Sequence, residues 1–478
     1  MRRGARAHAL ERCARMEFML VDQTRIEIAA MLVLSLSASI GRCGEGRQFQ
    51  DVLSQMRPYA GVRNPGVDAT TLTGKVMCGY QGWFAAEGDG SGRGWVHFGR
   101  GKEFGPGHCT IDLWPDMSEM DPDEKYLTPF THTDGKAVSV FSSYNQKTVL
   151  RHFRWMQEYG IDGVFLQRFG VSLRQPDAYR HCNVVTANAQ AGANRYGRAW
   201  AMMYDLSGLQ TGEIETIVIE DWKRLVDSMK ITEDQSYLHH NGKPVVGVWG
   251  VGFNDGRKYT LDECEKLVQF LKNDRKYGGN TVMLGVPSHW RSLNGDSVKD
   301  EKLHRIIRQA DIVSPWTVGR YNTPQQASEH AESVIRPDIE WTKQRNLAYL
   351  PVIFPGFSWQ NLMKTHGKDS PLDQIPRLKG QLLWSQATVF KQAGAGMLYV
   401  AMFDEIDEGT AVFKCTNNPP SGESNFLTYD GMSSDHYLWL TGRIGVFLRT
   451  KNTTPVEIPI RNAQQTGARD GVPAAHDP

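Results

Sequence analysis

The sequence carries no excess of either charge. Lys and Arg number 54 against 53 Asp and Glu, a formal net charge of +1. Such a surface has no long-range field to gather nucleic acid or an anionic membrane, so a neutral partner is expected. No CxxC pair occurs, which removes the usual signature of a zinc site or a dithiol redox centre. Of 7 cysteines, Cys13 and Cys43 lie near the N-terminus, leaving Cys78, Cys109, Cys182, Cys264 and Cys415. That remainder is odd, so at least one thiol stays unpaired. No GxGxxG follows the first β-rich run and no P-loop occurs, which argues against a doubly wound nucleotide-binding sheet. The acidic stretch "DLWPDMSEMDPDE" offers Asp112, Asp116, Asp121 and Asp123 as hard oxygen ligands for calcium but lacks the glycine and ligand rhythm of an EF-hand. His97, His108 and Cys109 lack a zinc spacing. Neither a metal nor a cofactor is expected.

A hydrophobic run long enough to span a membrane is also missing. The best candidate, Ile26 to Ile40, is short and Ser-rich. Basic residues precede it and small polar residues follow, which is the shape of a secretory signal peptide. The lead-in is long, so Met16 or Met19 is an alternative start, and Arg42 makes Cys43 a poor lipid-attachment site. A leader over 1–45 and a secreted or periplasmic mature chain beginning between about 38 and 50 are expected. The end, 461–478, lacks any apolar period and reads as a disordered tail.

What the chain does have is Gly 47, Trp 13 and Tyr 16, and eight β-rich apolar runs bounded by turn residues. These are "VMCGYQGWF" (76–84), "GVFLQRF" (163–169), "RAWAMMYDLS" (198–207), "PVVGVWGVG" (244–252), "TVMLGVP" (281–287), "DIVSPWT" (311–317), "LAYLPVIFPGFS" (347–358) and "GMLYVAMFDE" (396–405). Their hydrophobicity is continuous rather than alternating, so both faces are buried, as in a parallel sheet covered by helices. Stretches of helical period lie between them at 147–160, 217–229, 259–275, 298–310, 324–345 and 374–394. The fold class is therefore α/β, a single (β/α)8 TIM barrel over 46–460, with a long loop after strand 1 at 85–145.

Barrel active sites lie at the C-terminal ends of the strands. The eighth run leads straight into Asp404, Glu405, Asp407 and Glu408, with Asp430 beyond. A spacing of three lets one tight turn present Glu405 and Glu408 to the same cavity, and two carboxyls of unequal burial can divide the acid and base roles of glycosidic cleavage. For a DExDE taken at random, a solvated acidic loop is the better reading; position after the eighth strand reverses that. Other strand ends offer Tyr80, Trp83, Gln167, Arg168, Tyr204, Asp205, Trp249 and Trp316 to hold hydroxyls or stack on sugar faces, with His289 and Trp290 after the fifth run.

The segment "FDEIDEGT" resembles the Glu-x-x-Glu-Gly-Thr segment of the family 99 glycoside hydrolases, relatives of family 71. "GYQGWF", "DLWPDMSEMDP" and "GIDGVFLQRF" resemble the opening of that family, so the likeness runs in order over roughly 75–460. It implies a hydrolase acting on a polysaccharide or glycan through α-linked mannose-like or related sugars, endo-α-mannosidase-type members being the reference and xylosidase- or arabinosidase-like members being known. By matching position Glu405 is the base on the substrate 2-hydroxyl, giving a 1,2-anhydro sugar with retention, and Glu408 protonates the leaving oxygen. Ile406 and Asp407 stand where the family commonly has Trp-His, a departure that bears on the substrate. A non-catalytic carbohydrate-binding barrel and an inverting α-glucanase of the family 71 kind are the alternatives.

Overall fold

Runs that are apolar at consecutive positions need cover on both faces. The computed structural model describes residues 50–461 apart from 102, 453, 455 and 456. Residues 50–56 belong to a short N-terminal unit, and the barrel unit runs from Arg57 onward. In it the chain forms β1 (Val76–Tyr80), a hairpin of β2 (Tyr126–Thr131) and β3 (Ala137–Val140), then β4 (Gly163–Phe169) and β5 (Ala199–Asp205). There follow β6 (His239–His240), β7 (Lys243–Trp249), β8 (Thr281–Pro287), β9 (Ile312–Trp316), β10 (Ala348–Tyr349), β11 (Val352–Ile353) and β12 (Leu398–Val400). The large sheet runs β10-β9-β8-β7-β5-β4-β1-β12-β11, all parallel, with the short β6 antiparallel on β7.

The two ends of that order are one stretch of chain. Ala348 and Tyr349 pair with Ile312 and Val313 of β9, while Val352 and Ile353 pair with Tyr399 and Val400 of β12. Between them Pro351 has no N–H to give, and its carbonyl accepts the Tyr399 amide at 3.0 Å. The seventh run is thus split at its proline, one half on each neighbour, and the ring of eight parallel strands closes.

Helices Gln146–Tyr159, Leu261–Asn273, Lys302–Ile307 and Gln381–Ala393, with the helical stretches 214–229 and 324–343, occupy the expected places. Three more were not legible, the short Gln360–Thr365 among them. Pro176–Tyr196 buries Asn, Gln, Thr and Ala as readily as larger apolar residues, so it carries no clear apolar stripe. His436–Arg449 follows the eighth strand and packs against Gln381–Ala393 and Gln146–Tyr159.

The loop after β1 is a wall built on aromatic contacts, with Phe84 and Phe98 at 4.9 Å between centroids and Trp114 and Phe130 at 5.1 Å. Its backbone binds the segment after β12: Asp112 N and Leu113 N donate to Ile406 O, and Asp116 N to Lys414 O. The four aspartates of the loop are taken up by protein partners, Asp121 and Asp123 sharing Lys147. Asp112 accepts from Ser358, Gln360 and Asn361, Asp116 from the Ser118 amide, Asp123 pairs with Lys147, and Asp121 caps the turn at 122–124. Among the described residues no three His, Cys, Asp or Glu side chains come together as a metal site, all cysteines are free thiols, and no helix is long and apolar enough to cross a membrane. Arg461, the first residue of the expected disordered tail, is instead held by Asp435 at 2.8 Å. The rest of that tail and the expected leader lie outside the described residues.

Candidate active site

Successive side chains of a strand point to opposite sides, and this decides which strand-end residues reach the barrel mouth. The mouth encloses a cavity of about 280 Å³. Gln167 and Phe169 of β4, Met203 and Asp205 of β5, Trp249 of β7 and Trp316 of β9 line it, with Gln81, Trp83, Met402, Glu405 and Glu408 from the ends of β1 and β12. Trp249 and Trp316 meet edge to face at 5.6 Å, and Trp83 stacks on His97 at 3.8 Å and 3°.

Three residues expected at the mouth are elsewhere, because they occupy the opposite strand parity or its outward face. Tyr80 is buried, its hydroxyl 2.9 Å from His152 Nδ1 of helix Gln146–Tyr159, with Phe403 and Phe153 around its ring. Arg168 turns toward the helices, where its Nε and Nη2 bind Asp221 at 2.6 and 2.7 Å and Nη2 also reaches Asn183. The Tyr204 hydroxyl donates to the same Asp221 at 2.6 Å. His289 pairs with Asp296, and Trp290 is buried with its Nε1 on Asp338, so neither lines the cavity. Gln81, Phe169, Met203, Ser207 and Met402 line it unforeseen. Gln81 was legible only as the residue after Tyr80, and a one-residue shift of parity would have selected it.

The acidic crowding at the exit of β12 divides into separate tasks. Asp404 is buried and accepts the amides of Gln81 at 2.7 Å and Gly82 at 2.8 Å, which ties the turn to β1. Burial raises this carboxyl to about 7 despite those two donors. Asp407 holds His97 Nδ1 at 2.9 Å, fixing the ring that stacks on Trp83. Asp430 is exposed and apart from the cavity. Glu405 and Glu408 remain, and both face the cavity.

Their surroundings differ. Glu405 is 4% exposed and receives two donors, Gln81 Nε2 on Oε1 and Thr410 Oγ1 on Oε2, each at 2.5 Å. Burial, then Glu408 and Asp407, raise its pKa, and the two donors act against that rise. Glu408 is half-buried, and its carboxyl accepts no hydrogen bond among the described residues. Burial first, then Asp407 and Asp205, push it up to about 7. The charge of Glu408 raises Glu405 further, while the two donors on Glu405 favour its anion. Asp205, raised to about 6 by burial, adds a third acid, with Ser207 N on its Oδ1 at 2.7 Å. Glu408 and Trp316 also border a second cavity of about 530 Å³ that includes Arg320, Asn322, Phe357 and Trp359.

The turn 405–411 is locked from behind. Glu408 O accepts Ser358 N at 3.0 Å, and Arg377 Nη2 binds the carbonyls of Gly409 and Ala411, both at 2.7 Å. Gly409 has φ +62°, and a Cβ there would lie 2.9 Å from Ser358 N. Gly409→Ala is expected to destabilise the fold by roughly 1–3 kcal/mol and to displace Glu408. Urea denaturation reads the first effect; full turnover of a cleaved glycan in the variant would exclude the second.

No family model matches the sequence, and no curated protein does. Solved structures do. Two structures of the GH99 endo-alpha-mannosidase from Bacteroides thetaiotaomicron, one in complex with BIS-TRIS-propane, superpose with TM-scores of 0.57 and 0.56. Each is 14% identical, covering 79% of this chain and 98% of that one. The chain has the fold of the family 99 barrels. At this identity the likeness extends to architecture alone, which agrees with the order of the eight strands.

Proposed function

We propose that this protein is a glycoside hydrolase that cleaves a polysaccharide or glycan with Glu405 as base and Glu408 as acid. The observation that carries the reading is the unequal pair: two carboxyls on one cavity, one buried and given two donors by Gln81 and Thr410, which favour its anion, the other half-buried and without a donor. Trp83, Trp249 and Trp316 supply flat faces for sugar rings.

In the mechanism that the family resemblance supports, Glu405 takes the proton of the sugar 2-hydroxyl as that oxygen closes on the anomeric carbon. Glu408 gives its proton to the departing oxygen, leaving a 1,2-anhydro sugar and a free alcohol. Water then opens the three-membered ring, Glu408 taking its proton and Glu405 returning one to the 2-oxygen, so the configuration is retained. The acid must face the leaving group, and the second cavity that Glu408 borders, about 530 Å³, has room for it.

Digestion of a glycan panel by the purified protein, with products identified, tests this. Release of new reducing ends of retained configuration supports it. Inverted products favour the family 71 type of reaction, and binding without release favours a carbohydrate-binding barrel. The rate is also expected to depend on pH in a bell. It falls as pH rises through about 7, where Glu408 loses its proton, and falls on the acid side where Glu405 gains one, a limb that the raised pKa of Glu405 moves toward neutrality, which narrows the bell. In Glu408→Gln, assayed with an activated aryl glycoside, the alkaline limb disappears; its persistence would assign that limb to another group. Export to the periplasm or medium is part of the proposal and rests on the leader pattern. N-terminal sequencing of exported protein is expected to give a start between about 38 and 50, whereas an intact Met1 in the cytoplasm counts against it.

A further inference from the structure

We infer that a recess beside the catalytic cavity accepts an anionic substituent of the sugar chain, a sulfate ester or a uronate carboxylate, through the guanidinium of Arg93. The inference rests on the glycan reading above. The recess measures about 40 Å³ and shares Gln81, Trp83, Gln167 and Phe169 with the cavity, so a group on a bound sugar can enter it. A water needs on the order of 10–15 Å³ by such a measure, so the recess takes about three, the bulk of a carboxylate or sulfate.

Arg93 lines the recess and not the cavity. It is half-buried, and its side chain has no ion pair or hydrogen bond among the described residues. Other arginines near the strand ends are all engaged: Arg168 by Asp221, Arg257 by Asp255, Arg320 by Asp296 and Arg377 by two carbonyls. Asp89, in the same loop, already accepts from Ala86 N, Ser91 N and Ser142 Oγ and makes no ion pair with Arg93. A guanidinium partly withdrawn from water with no acceptor is an incomplete arrangement, and an acidic ligand completes it.

The rest of the recess fits a ligand with acceptors. Trp83 Nε1 is a buried donor without a partner on the border between cavity and recess. His181 lies with Nε2 2.9 Å from Gly82 O, so that nitrogen carries the hydrogen and the unpartnered Nδ1 is a bare acceptor for a neighbouring hydroxyl. Burial first, then Arg93, push His181 down to about 4, which keeps it neutral and leaves Arg93 as the fixed charge. The acids of the mouth, Asp205, Glu405 and Glu408, line the cavity and not the recess, so a negative group is directed to the Arg93 side.

Calorimetric titration of the full chain carrying Glu405→Gln, which is expected to slow turnover, tests this in two arms. One compares sulfated fucan oligosaccharides with their desulfated counterparts; the other compares oligogalacturonate with its carboxyl-reduced counterpart. At least one charged probe is expected to bind tenfold or more tightly than its neutral form. Adding Arg93→Met is expected to bring that ratio within twofold of one, and Arg93→Lys to keep part of it, with melting temperatures checking that both variants fold. No charge preference in either arm, or a preference that survives Arg93→Met, overturns the inference and names the anion source as neither. A preference without cleavage of any glycan by the unmodified protein would instead overturn the hydrolase reading and leave the recess assigned.

Discussion

Glu405→Gln is expected to lower kcat/KM on the natural glycan and on an activated aryl glycoside alike, by roughly 10²–10⁴-fold, the range of a general base. Without that carboxylate nothing takes the 2-hydroxyl proton, whatever the leaving group. Gln at this position is nearly isosteric, so Thr410 and Gln81 stay in reach and the fold is kept. Glu408→Gln is expected to be just as damaging with the natural glycan, whose alkoxide leaves only when protonated. With an aryl group that departs unaided the same variant loses far less. Steady-state kinetics of both variants on both substrates decide the matter. Full activity of Glu405→Gln on glycan, or a Glu408→Gln defect that ignores the leaving group, would mean that the roles are reversed or absent.

Asp221→Ala is expected to be among the most destabilising single changes in the barrel. Asp221 and Arg168 are each 1% exposed, and the carboxylate takes two guanidinium donors and the Tyr204 hydroxyl. Removing it leaves a buried cation with Asn183, Thr186 and the Tyr179 ring near it but no anion, at a cost of roughly 3–5 kcal/mol. Replacing both partners, as in Arg168→Met with Asp221→Leu, is expected to recover most of that loss, because no uncompensated charge remains. Urea midpoints read both effects. Activity per folded molecule is expected to stay unchanged, since the pair faces the helices; a selective loss of turnover without loss of stability would return Arg168 to the substrate.

That pair shows where a one-dimensional reading stopped. The β-rich runs and most helices were legible because burial on both faces leaves unbroken apolar stretches, and helix faces repeat every three or four residues. Pro176–Tyr196 escaped because its buried face is made of small and amide side chains, which satisfy each other by hydrogen bonds instead of by hydrophobicity, as Asn194 does with Gln190 O and Asp234. The proline break between β10 and β11 was equally invisible, because which neighbour each half pairs with is not written in either half.

At the mouth, the order of elements was enough to mark the turn after the eighth strand and so Glu405 and Glu408, a local spacing at a topologically defined place. Trp83, Asp205, Trp249 and Trp316 followed from the same rule. Whether position 167 or 168, 203 or 204 faces the cavity depends on the parity with which each strand enters the ring, and one residue of register moves a side chain from the sugar to the helix layer. The three-dimensional fold alone decided that Arg168, Tyr80 and Tyr204 serve the outer layer while Gln81 turns inward to Glu405. It alone gave Glu405 its two donors and withheld any from Glu408, because Gln81 lies more than three hundred residues away along the chain and meets Glu405 only when β12 pairs with β1.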